Sequence, residues 1–278
     1  MGTSSSYGGP KGVSNLLPPW AEPTDDSTAP NAVPDLPPDG ASDQPAPPSP
    51  PAPGLPWSQP KSLTSRWAKG TSTGGPARAL RAYVQASGGS RAASRRASAG
   101  RATARRLGGF LGAGVGGGFA AAAAAIGLIT FVGRDADALL NELVDRLAPD
   151  GALLDDAVAR QAAILTWEEV FERLDVAGSG FAALDRIDRG MAEDIVRRFV
   201  THYVAERFLQ ELGDCIDRGA ISASAANDLY REVRDFIRET VRIDFGGVDL
   251  VAMDWDSADA QARVDGVFAA AYGFIETL

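Results

Sequence analysis

The sequence predicts an all-α protein, a helical bundle preceded by a long disordered Pro/Gly/Ser-rich N-terminal tail. Three observations lead there. Of 18 prolines, 17 lie at or before Pro76 and the last is Pro149, and proline interrupts helices and sheets alike. Beyond residue 135 apolar residues recur at helical spacing, and no stretch alternates with period two for long enough to form a strand. The one cysteine, Cys215, rules out an intramolecular disulfide, so helices must bury their apolar faces on one another.

Residues 1–74 offer Gly, Ser, Pro and Asp with scattered Leu and Trp. That is too little apolar surface to offset chain entropy, so the stretch is expected to be a disordered tail. Residues 75–133 read as an Arg-rich and then Gly/Ala-rich helical segment, and residues 134–278 as an acidic helical bundle domain. Charge divides the chain in the same way. Residues 1–60 carry six acids against Lys11, residues 61–134 carry twelve Lys or Arg and no acid, and residues 135–278 carry 30 acids against 14 bases. Such asymmetry within an overall charge of −9 points to interaction surfaces rather than to a fold.

Helical signals begin at Pro76, which suits a first helical turn and is followed by Leu80, Tyr83 and Val84 on one face. Ser87-Gly88-Gly89 ends that run, and Ser90 is placed to start a second helix over about 91–107. On an ideal wheel Arg91, Arg95, Arg101, Arg105 and Arg106 share an arc of about 140°. The opposite side holds Ala93, Ala97, Gly100, Ala104 and Leu107, small enough to admit another helix closely. The arginine stripe must then face water, phosphate or carboxylates.

Residues 108–133 contain no charge and nine glycines. The stretch is long enough to cross a bilayer, and eight arginines over residues 78–106 precede it, yet Gly and Ala supply little transfer free energy. It is therefore read as a buried or mobile segment of a soluble protein.

Five stronger helices follow. Leu139, Leu143, Val144 and Leu147 form the face of the first, which Pro149-Asp150-Gly151 ends. The second runs over about 153–174 and offers a restart at Thr166, whose spacing to Glu169 is that of a capping box. The third covers about 191–217 on Ile195, Phe199, Tyr203, Leu209, Leu212 and Ile216, with Gly219 as its stop. The fourth covers about 224–242 on Leu229, Val233, Phe236 and Ile237. After an irregular link through Trp255, Ser257 caps the last, which carries Val264, Phe268, Tyr272 and Ile275.

Residues that carry chemistry are scarce. His202 is the sole histidine, so any Ser-His-Asp or Cys-His site would have to use it, and it stands mid-helix. His202 and Glu206 have the i, i+4 spacing of metal ligands, but two ligands do not make a site. Asp175–Gly180 has the outline of a calcium loop, with Ala177 and Arg186 where carboxylates are needed. Gly112-Ala-Gly114-Val-Gly116-Gly117 fits the glycine spacing of dinucleotide-binding turns, but that motif requires a preceding strand and a parallel sheet. No catalytic residue, metal site or cofactor is therefore expected, and the protein is read as a non-enzyme.

Two binding roles remain for the arginines: contact with a protein partner or with nucleic acid phosphate, for which interleaved aromatics are missing. The N-terminus offers another feature. Removal of Met1 would expose the unhindered α-amine of Gly2, with an ordinary pKa near 8, on a tail long enough to enter another protein's active site. An inert frayed terminus is the plain alternative. Neither a secretory signal nor a disulfide framework is present in the sequence, so a cytoplasmic, bacterial protein is expected.

Several segments resemble one family. They are Met1-Gly-Thr-Ser-Ser-Ser-Tyr-Gly-Gly-Pro10, Tyr83-Val with Gly88-Gly-Ser-Arg91, and Ser98-Ala-Gly-Arg-Ala-Thr-Ala-Arg-Arg-Leu-Gly-Gly-Phe110. Two more are Phe199-Val-Thr-His-Tyr-Val-Ala-Glu-Arg-Phe-Leu-Gln-Glu-Leu212 and Arg231-Glu-Val-Arg-Asp-Phe-Ile-Arg-Glu-Thr-Val241. This pattern is similar to the QatB family of the bacterial Qat anti-phage system. The resemblance implies a defence role beside an ATPase, a QueC-like protein and a TatD-like nuclease, and supplies no catalytic residues. It thus implies an adaptor that docks on the QueC-like partner and presents Gly2 for a deazaguanine-type modification. The other readings are a nucleic-acid-binding subunit acting through the arginine helix and a membrane-acting effector acting through 108–133.

Overall fold

A computed structural model of the chain describes residues 55–72, 74–128, 135–241, 249 and 252–278. Gly2 and most of the expected tail lie outside the described residues, as do positions 129–133 of the Gly/Ala-rich stretch. Among the described residues every regular element is helical. In order they are α1 (Ser58–Ala68), α2 (Ala77–Ala86), α3 (Ser90–Arg96), α4 (Ser98–Gly117), α5 (Phe119–Ala125) and α6 (Ala136–Leu147). Then come α7 (Leu154–Leu174), the single turn α8 (Val176–Ser179), a 3-10 turn (Phe181–Arg186), α9 (Arg189–Asp217), α10 (Ala223–Thr240) and α11 (Ala258–Glu276).

The longest helix, α9, is the axis of the bundle because apolar residues occur on several of its faces. Ile195, Phe199, Tyr203, Phe208, Leu212 and Ile216 are all buried, and α9 packs against α1, α4, α7, α10 and α11. Aromatic rings meet edge to face between helices, Tyr203 of α9 with Phe268 of α11 at 5.3 Å and Phe110 of α4 with Trp167 of α7 at 5.9 Å between centroids. That geometry suits the ring quadrupoles. One hydrophobic core runs from Trp67 to Ile275, so the described parts of the expected 75–133 segment and 134–278 domain fold into the same compact unit.

Two further expectations change. The tail was expected to extend to residue 74, yet α1 lies within its last part and buries Pro60, Thr64 and Trp67. Pro60 sits in the first turn, where its missing N–H is harmless, and Thr64 Oγ1 donates to the carbonyl of Pro60 at 2.8 Å. An 11-residue helix is marginal alone; the surface of α9 makes it worthwhile. The single helix expected over 91–107 is divided at Ala97, whose ψ of 45° leaves the helical region.

At Thr166 no restart occurs. Helix α7 runs through unbroken, and the Thr166 hydroxyl donates back to the carbonyl of Ala162 at 2.7 Å. The Gly112–Gly117 stretch lies within α4 with no strand before it. Asp175 adopts a left-handed conformation and caps α8 by accepting from the N–H of Gly178 at 3.3 Å.

The glycines of α4 have a packing function. A Cβ on Gly100 would lie 2.5 Å from the ring of Tyr203. Beta-carbons on Gly108 and Gly114 would overlap the rings of Trp255 and Phe119. Large rings therefore press on the bare helix backbone, which is how a Gly-rich sequence remains helical despite its low propensity.

Candidate functional site

The acid-free part of the chain begins its helices without side-chain caps. Gly89, Ala97 and Gly118 precede α3, α4 and α5, and none has a side-chain oxygen with which to cap the first turn. Carboxylates from distant helices and turns do so instead. Glu276 of α11 accepts from the N–H of Ser90 at 3.1 Å, Asp155 of α7 from Ala99 at 2.7 Å, and Asp185 from Phe119 at 3.1 Å. Negative charge at a helix N-terminus also meets the positive end of the helix dipole. Part of the charge asymmetry read from the sequence is thus resolved inside the molecule.

Asp155 is the hub of a buried polar group. Its Oδ2 also accepts from Ser98 Oγ at 3.1 Å, while Oδ1 accepts from Arg207 Nη1 at 3.1 Å and from the Tyr203 hydroxyl. Arg207 in turn reaches Glu211 at 2.8 Å. Burial pushes the phenols of Tyr83, Tyr203 and Tyr272 well above their ordinary value, with nearby carboxylates adding to it. Burial pulls Arg207 down, but Tyr203, Tyr83, Glu211 and Asp155 together outweigh it and keep the guanidinium charged. These phenols and the Arg207 guanidinium hold their protons firmly, so their chemistry is donation and positioning rather than proton transfer.

A second cluster lies around Glu169, which joins three helices. His202 Nε2 of α9 lies 3.2 Å from Glu169 Oε1, Arg198 Nη1 2.7 Å from Oε2, and Arg238 Nη2 of α10 3.2 Å from Oε1. The hydrogen bond from His202, followed by those charges, holds the Glu169 carboxyl down at about 2 despite the opposing effect of burial. His202 is buried, and the partner of Glu206 is Arg234 at 2.6 Å. No group of three His, Cys, Asp or Glu suited to a metal occurs among the described residues.

The five predicted arginines are divided between two helices. Arg91 and Arg95 are exposed on α3, and Arg101, Arg105 and Arg106 lie on α4, beyond the break at Ala97. Arg101 Nη1 pairs with Asp265 of α11 at 2.6 Å. Arg105 Nη1 lies 3.4 Å from Gln261 Oε1, and Arg106 Nη1 3.5 Å from the carbonyl of Leu147. The α4 arginines thus lean on their own bundle. No described helix is long and apolar enough to cross a membrane.

Sequence reasoning missed Asp155, Glu169, Asp185 and Glu276 as trans-acting groups. No local signal marks them, because each acts on a helix start 56 to 186 residues away in sequence or on a different helix face.

No curated protein and no solved structure matches the chain. A family model does, over residues 88–275, from the turn before α3 to the end of α11, and its description is Qat anti-phage system associated protein QatB. With two thirds of its length matched, including α3 to α10 and the Asp155 and Glu169 carboxylates with their hydrogen-bond partners, the chain belongs to the QatB family and is a component of an anti-phage defence system.

Proposed function

We propose that this protein is a non-enzymatic adaptor and substrate subunit, docking its helical body on a QueC-like partner and presenting Gly2 for modification. The observation that carries the reading is the scarcity of reactive groups in the described body. Its one imidazole, His202, is buried against Glu169, and its one thiol, Cys215, is buried in the same helix. The buried phenols are held in their protonated form. A protein of this kind works by offering surfaces and an end to others.

QueC-type chemistry activates a deazaguanine carboxylate with ATP and lets an amine attack the activated carbon. In the proposed step the Gly2 α-amine, freed by removal of Met1, forms the amide bond; AMP departs and the amine loses a proton. The associated ATPase and the TatD-like nuclease are further partners in this reading. Intact mass of the protein purified from cells with and without the QueC-like partner tests it. A mass increase at the N-terminal peptide that depends on the partner is expected. An unchanged mass in cells that still resist phage would overturn the modification.

A further inference from the structure

Between α4, α5 and the end of α6 lies a cavity of about 450 Å³, within the ~300–1,000 Å³ range of small-ligand sites. Its lining divides by chemistry. The floor is apolar, with Phe110 and Ala113 from α4, Ala122 and Ile126 from α5 and just beyond it, and Leu147 from α6. The rim carries Arg105, Arg106 and Arg146, opposed by the single carboxylate of Asp256.

The rim arginines have donors to spare. Arg105 directs one N–H to Gln261 and Arg106 one to Leu147, out of the five that each guanidinium possesses. Those contacts hold the groups in place without consuming them. Arg146 comes from the last turn of α6, and its guanidinium passes so close to Gly127 that a Cβ there would lie 3.3 Å away. Three guanidiniums against one carboxylate leave two positive charges, the complement of a phosphate monoester dianion. Guanidinium forks suit phosphate oxygens in bidentate pairs.

We infer that this cavity binds a phosphate monoester of nucleotide size, its phosphate held by Arg105, Arg106 and Arg146 and its organic body on the Phe110, Ala113 and Ile126 floor. Its phosphate contacts are arginine side chains, and the Gly112–Gly117 stretch, which lies inside α4, contributes only Ala113 to the floor. The volume requires an organic body, since inorganic phosphate would leave most of the floor uncovered.

Calorimetric titration of the full chain with AMP, GMP, CMP and UMP, beside inorganic phosphate and adenosine, tests this. At least one nucleotide is expected to bind about tenfold or more tightly than phosphate or adenosine alone. Arg146→Gln removes a rim charge and Ala113→Leu fills the floor while keeping every charge. Both positions are exposed, so both variants keep the fold, and each should weaken binding about tenfold. Arg91→Gln on α3 should leave it unchanged. Nucleotides binding no tighter than phosphate, or binding indifferent to both variants, would overturn the assignment, as would retention of a single-stranded oligonucleotide with no mononucleotide affinity.

Discussion

Tyr203 donates its hydroxyl hydrogen to the carboxylate of Asp155, and the other oxygen of that carboxylate caps the N-terminus of α4 at Ala99. One buried acid therefore fixes α9, α7 and α4 together at a single point. Arg207 supplies the compensating charge.

Replacing that acid should be costly. Asp155→Ala leaves Arg207 charged and half-buried, the Tyr203 hydroxyl unpaired and the first turn of α4 uncapped. Removing one partner of a buried pair costs about 3–5 kcal/mol. A lower urea midpoint with an unchanged slope is the expected result, and Asp155→Asn, which keeps an acceptor oxygen, should lose less. Equal midpoints for Asp155→Ala and the parent protein would show that the hub contributes nothing.

The helices were legible in the sequence because their periodicity and caps are local. Ser257 caps α11 and Val264, Phe268, Tyr272 and Ile275 are buried, as their spacing required. The order of charge along the chain was legible too, but its meaning was not. Asp155 and Asp185 look like surface acids until the fold brings them to Ala99 and Phe119. Helix α1 escaped notice because composition averages over 74 residues, whereas Trp67 needs only one receptive surface on α9. The cavity rim was half visible: Arg105 and Arg106 stood out in the sequence, and Arg146 did not, because nothing local links it to α4.

The glycines of the bundle should divide into two kinds. At Gly108 a Cβ would overlap the indole of Trp255, so Gly108→Ala should lose about 1–3 kcal/mol even though Ala is the better helix former. At Gly266, in the middle of α11, nothing lies within 4 Å of the added carbon. Gly266→Ala should gain roughly 0.5–1 kcal/mol through propensity alone. Thermal melts of the two variants should therefore shift in opposite directions.

Glu169 sets an acid limit on the bundle. Its carboxyl is held at about 2 in the folded protein against an ordinary value near 4.3 when unfolded. A depressed folded-state pKa contributes stability that is fully present above the unfolded value and is lost as pH falls toward the folded one. Stability should decline between about pH 4.5 and 2, with a shallower slope in Glu169→Gln. Identical slopes for the two proteins across that window would remove Glu169 from the acid response.

Helix α1 lies outside the family match, which begins at residue 88, yet it shares the core through Trp67. A Cβ on Gly219 would lie 2.6 Å from that of Ala68 and 3.2 Å from the carbonyl of Ser65. The turn after α9 is thus open enough to seat α1 and no larger. Trp67→Ala, removing a buried indole, should cost about 3–5 kcal/mol if α1 is part of the cooperative unit. Gly219→Ala should act on the same contact by pushing α1 away. In both variants hydrogen exchange should accelerate in α1 and in the facing turns of α9, where loss of α1 exposes the helix surface. Protection unchanged along α9 would mean that α1 rests on the bundle without supporting it.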